Sequence, residues 1–315
     1  MTIVTNTYET YDSVSIPEQV LDGIYRIARE ETPIYSSAKK KKIKSISPEW
    51  QTQALASAAT NQLAQGDAFS MNARTPTVRV KNHTQISYKG VSITRTNQAV
   101  DHYGYSNEMG YQKQLAAIEL KRDCEYAIVQ NNASVAGSTG TAGECGGIES
   151  WATSNVSRGT GGSNGGYNSG TGLTAAATDG TQRVFTEDLL LSVLQTGYDN
   201  GAKFSIGHFG SFNKRRFSTF QGNASRTSEM EKKVSNTIKV YESDFGTLTV
   251  SINPQQRTRT GILYDMDKIA VLNLRPMEMA KLAKTNDSDE EVIVTEFTTQ
   301  VVQLGIGVVA DLTTS

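Results

Sequence analysis

The period of the hydrophobic positions changes several times along the chain, and each change marks an element. Residues 16–30 place Val20, Ile24 and Ile27 at helical spacing, with Pro17 suited to a first turn, so a short helix is expected there. Residues 50–57 read as a strand, and the small, polar stretch 58–75 as a loop tip. Period-two alternation follows over 77–96, where Val78 shares a face with Val80, Ile86 with Tyr88, and Val91 with Ile93 beyond Lys89-Gly90. Two strand regions around a polar tip predict a long projecting hairpin. A lone two-stranded ribbon is marginal in water, so this one is expected to lie on another surface.

Helical spacing is strongest over 107–131, where Ala117, Leu120, Cys124, Ala127, Ile128 and Asn131 form one stripe. Ser106 is the expected N-cap, and Lys121 and Arg122 are spaced to pair with Glu125 on the solvent side. Such a helix would be ~37 Å long, well beyond the mean of about 11–12 residues. A second helix is expected over 185–200, capped by Thr186, with Leu189, Leu190, Val193, Leu194 and Tyr198 on its buried stripe and Asn200-Gly201 at its end. Strands are expected from 203 to 207 and over 237–241, 246–253 and 261–274. A basic helix is expected at 213–220 and a short helical turn at 276–282.

The last apolar run, 291–312, has split parity. Ile293, Phe297 and Val301 fall on one face, and Val302, Leu304, Ile306, Val308 and Ala310 on the other. A pleated strand cannot turn both sets to one core, so a bulge or bend is predicted between Thr299 and Leu304.

Composition adds a contrast. Residues 135–181 hold 13 of the 27 glycines, no lysine and a single arginine, Arg158. Backbone of this kind turns freely and is costly inside regular elements, while Ile148 and Trp151 indicate that part of it packs. The net charge of -1 over 315 residues gives no global reason to wrap nucleic acid. Charge is local instead. Residues 1–35 are acidic, Lys39, Lys40, Lys41, Lys42 and Lys44 form a basic extended run, and Lys214, Arg215, Arg216 and Arg226 form a second cluster beside Phe212, Phe217 and Phe220. Lysines in the first run could meet nucleic-acid phosphates, and the solvated or subunit-facing alternative is favoured.

No segment carries a recognisable chemistry. Gly137–Gly143 has the glycine spacing of a phosphate loop, but Glu144 and Cys145 stand where Lys and Ser/Thr are needed. His83, His102 and His208 lie in different elements without metal-ligand spacing, and GxSxG does not occur. Cys124 reads as a small buried apolar residue, and two cysteines make no disulfide framework. The start lacks a secretory signal and no stretch of 18 apolar residues exists, so the chain reads as soluble, without membrane contact and kept in a reducing compartment. No cofactor, metal or catalytic residue is expected.

The order of parts, and several stretches, carry a resemblance. These are EWQTQALAS (49–57), RVKNHTQISYKGVSITRTNQAVDHYG (79–104), ELKRDCEYAIVQNNAS (119–134), YESDFGTLTVSINPQQRTR (241–259) and DKIAVLNLRP (267–276). Together they resemble the major capsid proteins of tailed phages with the Hong Kong 97 fold, in the uncleaved podovirus and siphovirus branch. The resemblance covers most of 30–312 and is weakest in 135–181.

It implies an α+β capsid fold with an N-terminal arm (1–47), an extended β-hairpin loop (48–96), a peripheral domain with a long spine helix and long strands (97–134 and 283–315), and an axial domain (135–282) with the glycine-rich insertion 135–181. It implies a chain that self-assembles into pentamers and hexamers of an icosahedral head around double-stranded DNA, assembled in the host cytoplasm and resident in the virion. Inter-subunit contacts are expected at Lys39, Lys40, Lys41, Lys42, Trp50, Phe69, Met71, Arg79, Arg215 and Arg216. Expected partners are further copies of the chain, scaffolding, portal and decoration proteins, and packaged DNA through non-specific contacts. Some members of that family are locked by a Lys–Asn isopeptide bond, and no such trio is recognisable here. Two other readings are an encapsulin-like nanocompartment shell and, from another class, a hydrolase or carbohydrate-binding protein with the glycine-rich segment lining its site.

Overall fold

The computed structural model describes residues 28–53, 55, 56, 58–69, 71, 73–220, 239–283 and 286–314. The helix expected over 16–30 lies mainly outside them. In chain order the elements are α1 (Pro33–Ser37), β1 (Lys39–Lys42), β2 (Glu49–Thr52), β3 (Val78–Lys81), β4 (Gln85–Thr94), α2 (Arg95–Ala99), α3 (Glu108–Val129), α4 (Ile148–Trp151), β5 (Val156–Ser157), β6 (Gly166–Asn168), β7 (Leu173–Ala175) and α5 (Glu187–Asp199). Then come β8 (Ile206–Phe209), α6 (Ser211–Phe217), β9 (Val240–Ser243), β10 (Gly246–Ile252), β11 (Gly261–Tyr264), β12 (Ile269–Lys281), β13 (Ser288–Val301) and β14 (Ile306–Val309).

Two larger sheets organise the chain. One runs β1-β12-β13-β4 and the other β5-β14-β11-β8-β10-β9, while β2-β3 and β6-β7 form two small ribbons. The six-stranded sheet is buried on both faces, which is why its inner strands read as continuous apolar runs. In β11, Ile262 and Tyr264 enter a core shared with α3, while Leu263 between them enters a second core with α5 and α6. In β14, Ile306 and Val308 face the first core and Val309 the second. The period of two thus distributes neighbouring residues between two hydrophobic bodies.

The long helix forms as its stripe demands. Leu120, Cys124, Ala127 and Ile128 are buried against the first core. Its cap is Asn107, whose side-chain oxygen accepts the Gly110 N–H at 3.0 Å, and not Ser106. The solvent-side pairs expected for Glu125 do not form, because Glu125 is fully buried. Helix α5 also matches its stripe at Leu190, Val193 and Leu194, except that Tyr198 is exposed and Thr186 makes no side-chain cap bond.

The split parity of the last apolar run resolves as expected. β13 ends at Val301, a 3-10 turn over Gln303–Gly305 follows, and β14 continues in the other sheet. Val302 and Leu304, in and beside that turn, do not join the buried set of Ile306, Val308 and Ala310.

Other elements differ from expectation. The strand expected over 261–274 is two strands in different sheets, parted by a 3-10 turn at Met266–Lys268. The helical turn expected at 276–282 is instead the end of β12, and Pro276 sits where the register with β13 shifts between Arg275 and Glu278. A bulge is where a sheet tolerates a residue without an N–H. The basic helix is Ser211–Phe217, displaced from 213–220. The alternating region 77–96 is not one ribbon. Only β3 pairs with β2, through Trp50↔Val80 and its neighbours, whereas β4 pairs with β13 over ten residue pairs from Ser288↔Thr94 to Phe297↔Gln85.

The glycine-rich insertion packs tightly rather than lying free. Cys145, Ile148, Trp151 and Ala152 are buried in the same core as α3 and β13. A side chain at Gly147 would overlap the Gln130 carbonyl oxygen at the end of α3, so the backbone there approaches closer than any Cβ permits. The segment is tied to the rest by charge. Glu149, fully buried, accepts from Arg158 and from Arg257 (3.2 Å to Nη1), Arg257 also meets Asp179, and Arg259 bridges Asp179 to Asp311.

Candidate inter-subunit surface

The ribbon β2-β3 begins on the body and leaves it. At its base Val80 is buried, and the half-buried Trp50 lies 5.4 Å, centroid to centroid, from Trp151. Further out, Thr77 Oγ1 donates to Gln51 Oε1 at 3.1 Å and Gln53 Nε2 to the Thr75 carbonyl at 3.2 Å, so side chains continue the pairing past the last strand residues. Beyond that point the chain carries large apolar side chains in water. Leu55 is 97% exposed, Phe69 82% and Met71 89%, and Leu63 is also exposed. Clustered apolar exposure of this kind marks an interaction surface.

The expected contact residues fall in three places rather than one. Arg79 lies on the ribbon with its side chain largely exposed, 3.5 Å from Glu49, and Phe69 and Met71 lie on the tip. Trp50, also expected to face a neighbour, packs on one side against Trp151 of its own chain and is half-buried. Lys39, Lys40, Lys41 and Lys42 are expected as part of a basic extended run. They form β1, an exposed edge strand running parallel to Ala270–Asn273 of β12. Lys39 pairs with Asp267 at 2.6 Å, Lys40 lies 4.6 Å over the Tyr35 ring and Lys41 donates to Gln300 at 2.9 Å. Arg215 and Arg216 extend over Phe212 on α6, while Phe217 beneath is buried.

The arm is held where it meets the body. Ile34 and Tyr35 are buried, and the Glu125 carboxylate accepts their backbone N–H groups at 3.2 and 2.6 Å and the Asn253 amide at 2.6 Å. Burial pushes the Glu125 pKa up, and the Tyr35, Ile34 and Asn253 donors pull it back in part. This carboxylate, unnoticed as a fastener in the sequence, serves as a cap supplied from a distant helix.

The remaining titratable groups are packed rather than poised. Burial raises Cys124 and Cys145 to about 12, which leaves both thiols protonated and inert. Burial lowers His208 to about 4, so it stays neutral between Ser251 Oγ and Tyr264 OH, 2.9 Å from each. The phosphate-loop lookalike is closed by bridges Val135↔Glu144 and Ser138↔Thr141, with Cys145 buried behind it. Among the described residues no cluster of three His, Cys, Asp or Glu is placed to hold a metal ion, and no helix is long and apolar enough to cross a membrane.

Solved structures share this architecture across nearly the whole chain. A chain of Microbacterium phage Oxtober96 superposes with a TM-score of 0.65 at 10% identity, covering 95% of this chain and 98% of that one. The capsid asymmetric unit of Cyanophage A-1(L) contains a chain with a TM-score of 0.64 at 11% identity, covering 96% and 98%. These likenesses show the Hong Kong 97-type capsid fold. In sequence, the major capsid protein of Escherichia phage Phieco32 is 30% identical over 127 residues, which span 40% of this chain and 36% of that protein. The family model described as SU10 major capsid protein matches residues 3–313. With its fold and nearly its entire length accounted for by that model, the chain belongs to the SU10 major capsid protein family.

Proposed function

We propose that copies of this chain tile into pentamers and hexamers of an icosahedral tailed-phage head that encloses double-stranded DNA. The observation that carries this reading is the ribbon, fixed at its base and apolar at its tip, with Phe69 and Met71 in water on a single subunit. Covering such a tip requires another molecule, and a sister subunit is present at the highest local concentration in an assembling shell.

The domain reading follows the packing. The arm, 1–47, is docked from residue 33 onward. Strand pairing supports drawing the extended loop at 49–81 within the expected 48–96, with β4 in the four-stranded sheet. That sheet with α3 forms the peripheral part, and the six-stranded sheet with α5 and α6 the axial part. The insertion 135–181 packs in the core of the first part and is tied to the second through the Glu149–Arg257 and Asp179–Arg259 pairs. Lys39–Lys42, Phe69, Met71, Arg79, Arg215 and Arg216 are assigned to subunit contacts, with packaged DNA and scaffolding, portal and decoration proteins as further partners. The role is structural, and no residue is assigned to catalysis.

Cryo-electron microscopy of the purified protein tests the reading. Closed particles of phage-head size support it, and a protein that stays monomeric under all assembly conditions contradicts it.

A further inference from the structure

The ribbon is gripped from outside itself. Trp151 in α4 meets Trp50 of β2 at 5.4 Å, the two rings tilted by 41°, and stacks on Tyr167 of β6 at 5.7 Å, within 7° of parallel. The Tyr167 hydroxyl lies beside the Lys81 backbone at the end of β3. In the turn before β7, Gly172, at φ +70, lets the outer end of the Lys81 side chain lie against the backbone. Both strands of the ribbon are therefore held by the insertion, and three aromatic rings lie in one row across the joint. Rings in such contact attract one another beyond the area they bury.

The consequence concerns aim. A ribbon anchored only by its two covalent ends would sweep through many directions, and each tip would meet its neighbour after a costly search. A ribbon seated on a rigid row of rings projects its tip one way before any partner arrives, and the ordering cost of association falls. We propose that the row Tyr167–Trp151–Trp50 is the mount that sets the direction of the extended loop in the free subunit, so that the tip is pre-aimed at a second copy of the chain. Trp50 and Trp151 are positioning residues on this account, and the insertion acts on assembly through the ribbon. The proposal rests on the shell-forming role inferred above, and it names what points the contact rather than what makes it.

Trp50 and Trp151 are the only two tryptophans, so the mount carries its own signal. Two indoles in contact give an exciton couplet in far-ultraviolet circular dichroism. The unassembled full-length subunit is predicted to show that couplet, and Trp50→Phe to abolish it while the rest of the spectrum and the melting temperature remain. A wild-type subunit without the couplet overturns the proposal whether or not shells form, which separates its failure from that of the shell-forming role. In assembly, Trp50→Ala is predicted to lower the yield of closed particles at least tenfold, and Trp50→Phe, which keeps a ring in the row, to restore most of it. Wild-type yield and particle size from Trp50→Ala, with the subunit folded, also overturn it.

Discussion

The Glu125 carboxylate accepts the backbone N–H of Tyr35 at 2.6 Å across 90 positions of sequence. With the Ile34 N–H and the Asn253 amide on its other oxygen, one buried side chain joins the arm, the spine helix and the turn after β10. Removing it leaves three donors without an acceptor. Glu125→Ala is expected to destabilise the unassembled subunit by about 2–4 kcal/mol in urea denaturation. An unchanged midpoint would show that the arm is not held there.

The same carboxylate predicts a pH dependence. Its folded pKa is raised by burial, so its contribution to stability is full below the unfolded value, about 4.3, and is lost as pH rises through the folded value. Glu125→Gln cannot ionise and should flatten that fall. Denaturation midpoints of both proteins across pH 4 to 8, about the range set by the unfolded value and neutrality, check the sign.

Asp311 predicts the opposite slope. It is buried with φ 58, and it accepts from the Gly159 and Gly180 N–H groups at 3.0 and 2.9 Å and from Arg259 at 2.7 Å. Burial raises its pKa, but those donors outweigh burial and hold it below the usual range. Its contribution is present above the unfolded value, about 3.9, and lost as pH falls through the folded one. Asp311→Asn keeps a residue tolerant of this conformation and should cost about 1–3 kcal/mol at neutral pH, with less acid sensitivity than wild type. Equal acid sensitivity in the two proteins would contradict the assignment.

Two glycines of the insertion should behave differently. Gly147→Ala forces a methyl group into the Gln130 carbonyl and should cost about 3 kcal/mol or more. Gly161, at φ +82, faces open space, so Gly161→Ala should cost only about 1–2 kcal/mol of backbone strain. Thermal denaturation of the two variants ranks them, and the reverse order would mean that the insertion does not pack against α3.

Leu120 is fully buried in the first core. Leu120→Asp places a carboxylate there without a partner and should prevent folding, read as loss of soluble subunit. A soluble, native-like variant would show that α3 presents another face inward.

Local periodicity made much of this fold legible. The stripe at Leu120, Cys124 and Ile128 located α3, and the broken parity around Val302 located the change of sheet. Both signals are written within a few turns or strand residues. What the sequence concealed were relationships set by distant partners. Glu125 has ordinary i,i+4 neighbours, and nothing local shows that Tyr35 and Asn253 claim it. β4 alternates as a ribbon strand would, and only its pairing with β13 reveals where it belongs. Pro276 suggested a turn because a bulge in the partner register cannot be read from one strand. Of the contact candidates, Phe69 and Met71 were legible as apolar residues in a polar tip. The contact of Trp50 with Trp151 was not legible, because a large ring in a projecting segment gives no sign of what its own chain lays against it.

The most direct measurement compares wild type with a chain lacking residues 58–75, by electron microscopy of assembled material and thermal denaturation of free subunits. The account predicts that the shortened subunit melts as the wild type does and yields no stable closed shells. Normal shells from it would contradict the claim that this exposed tip finds its cover on a sister molecule.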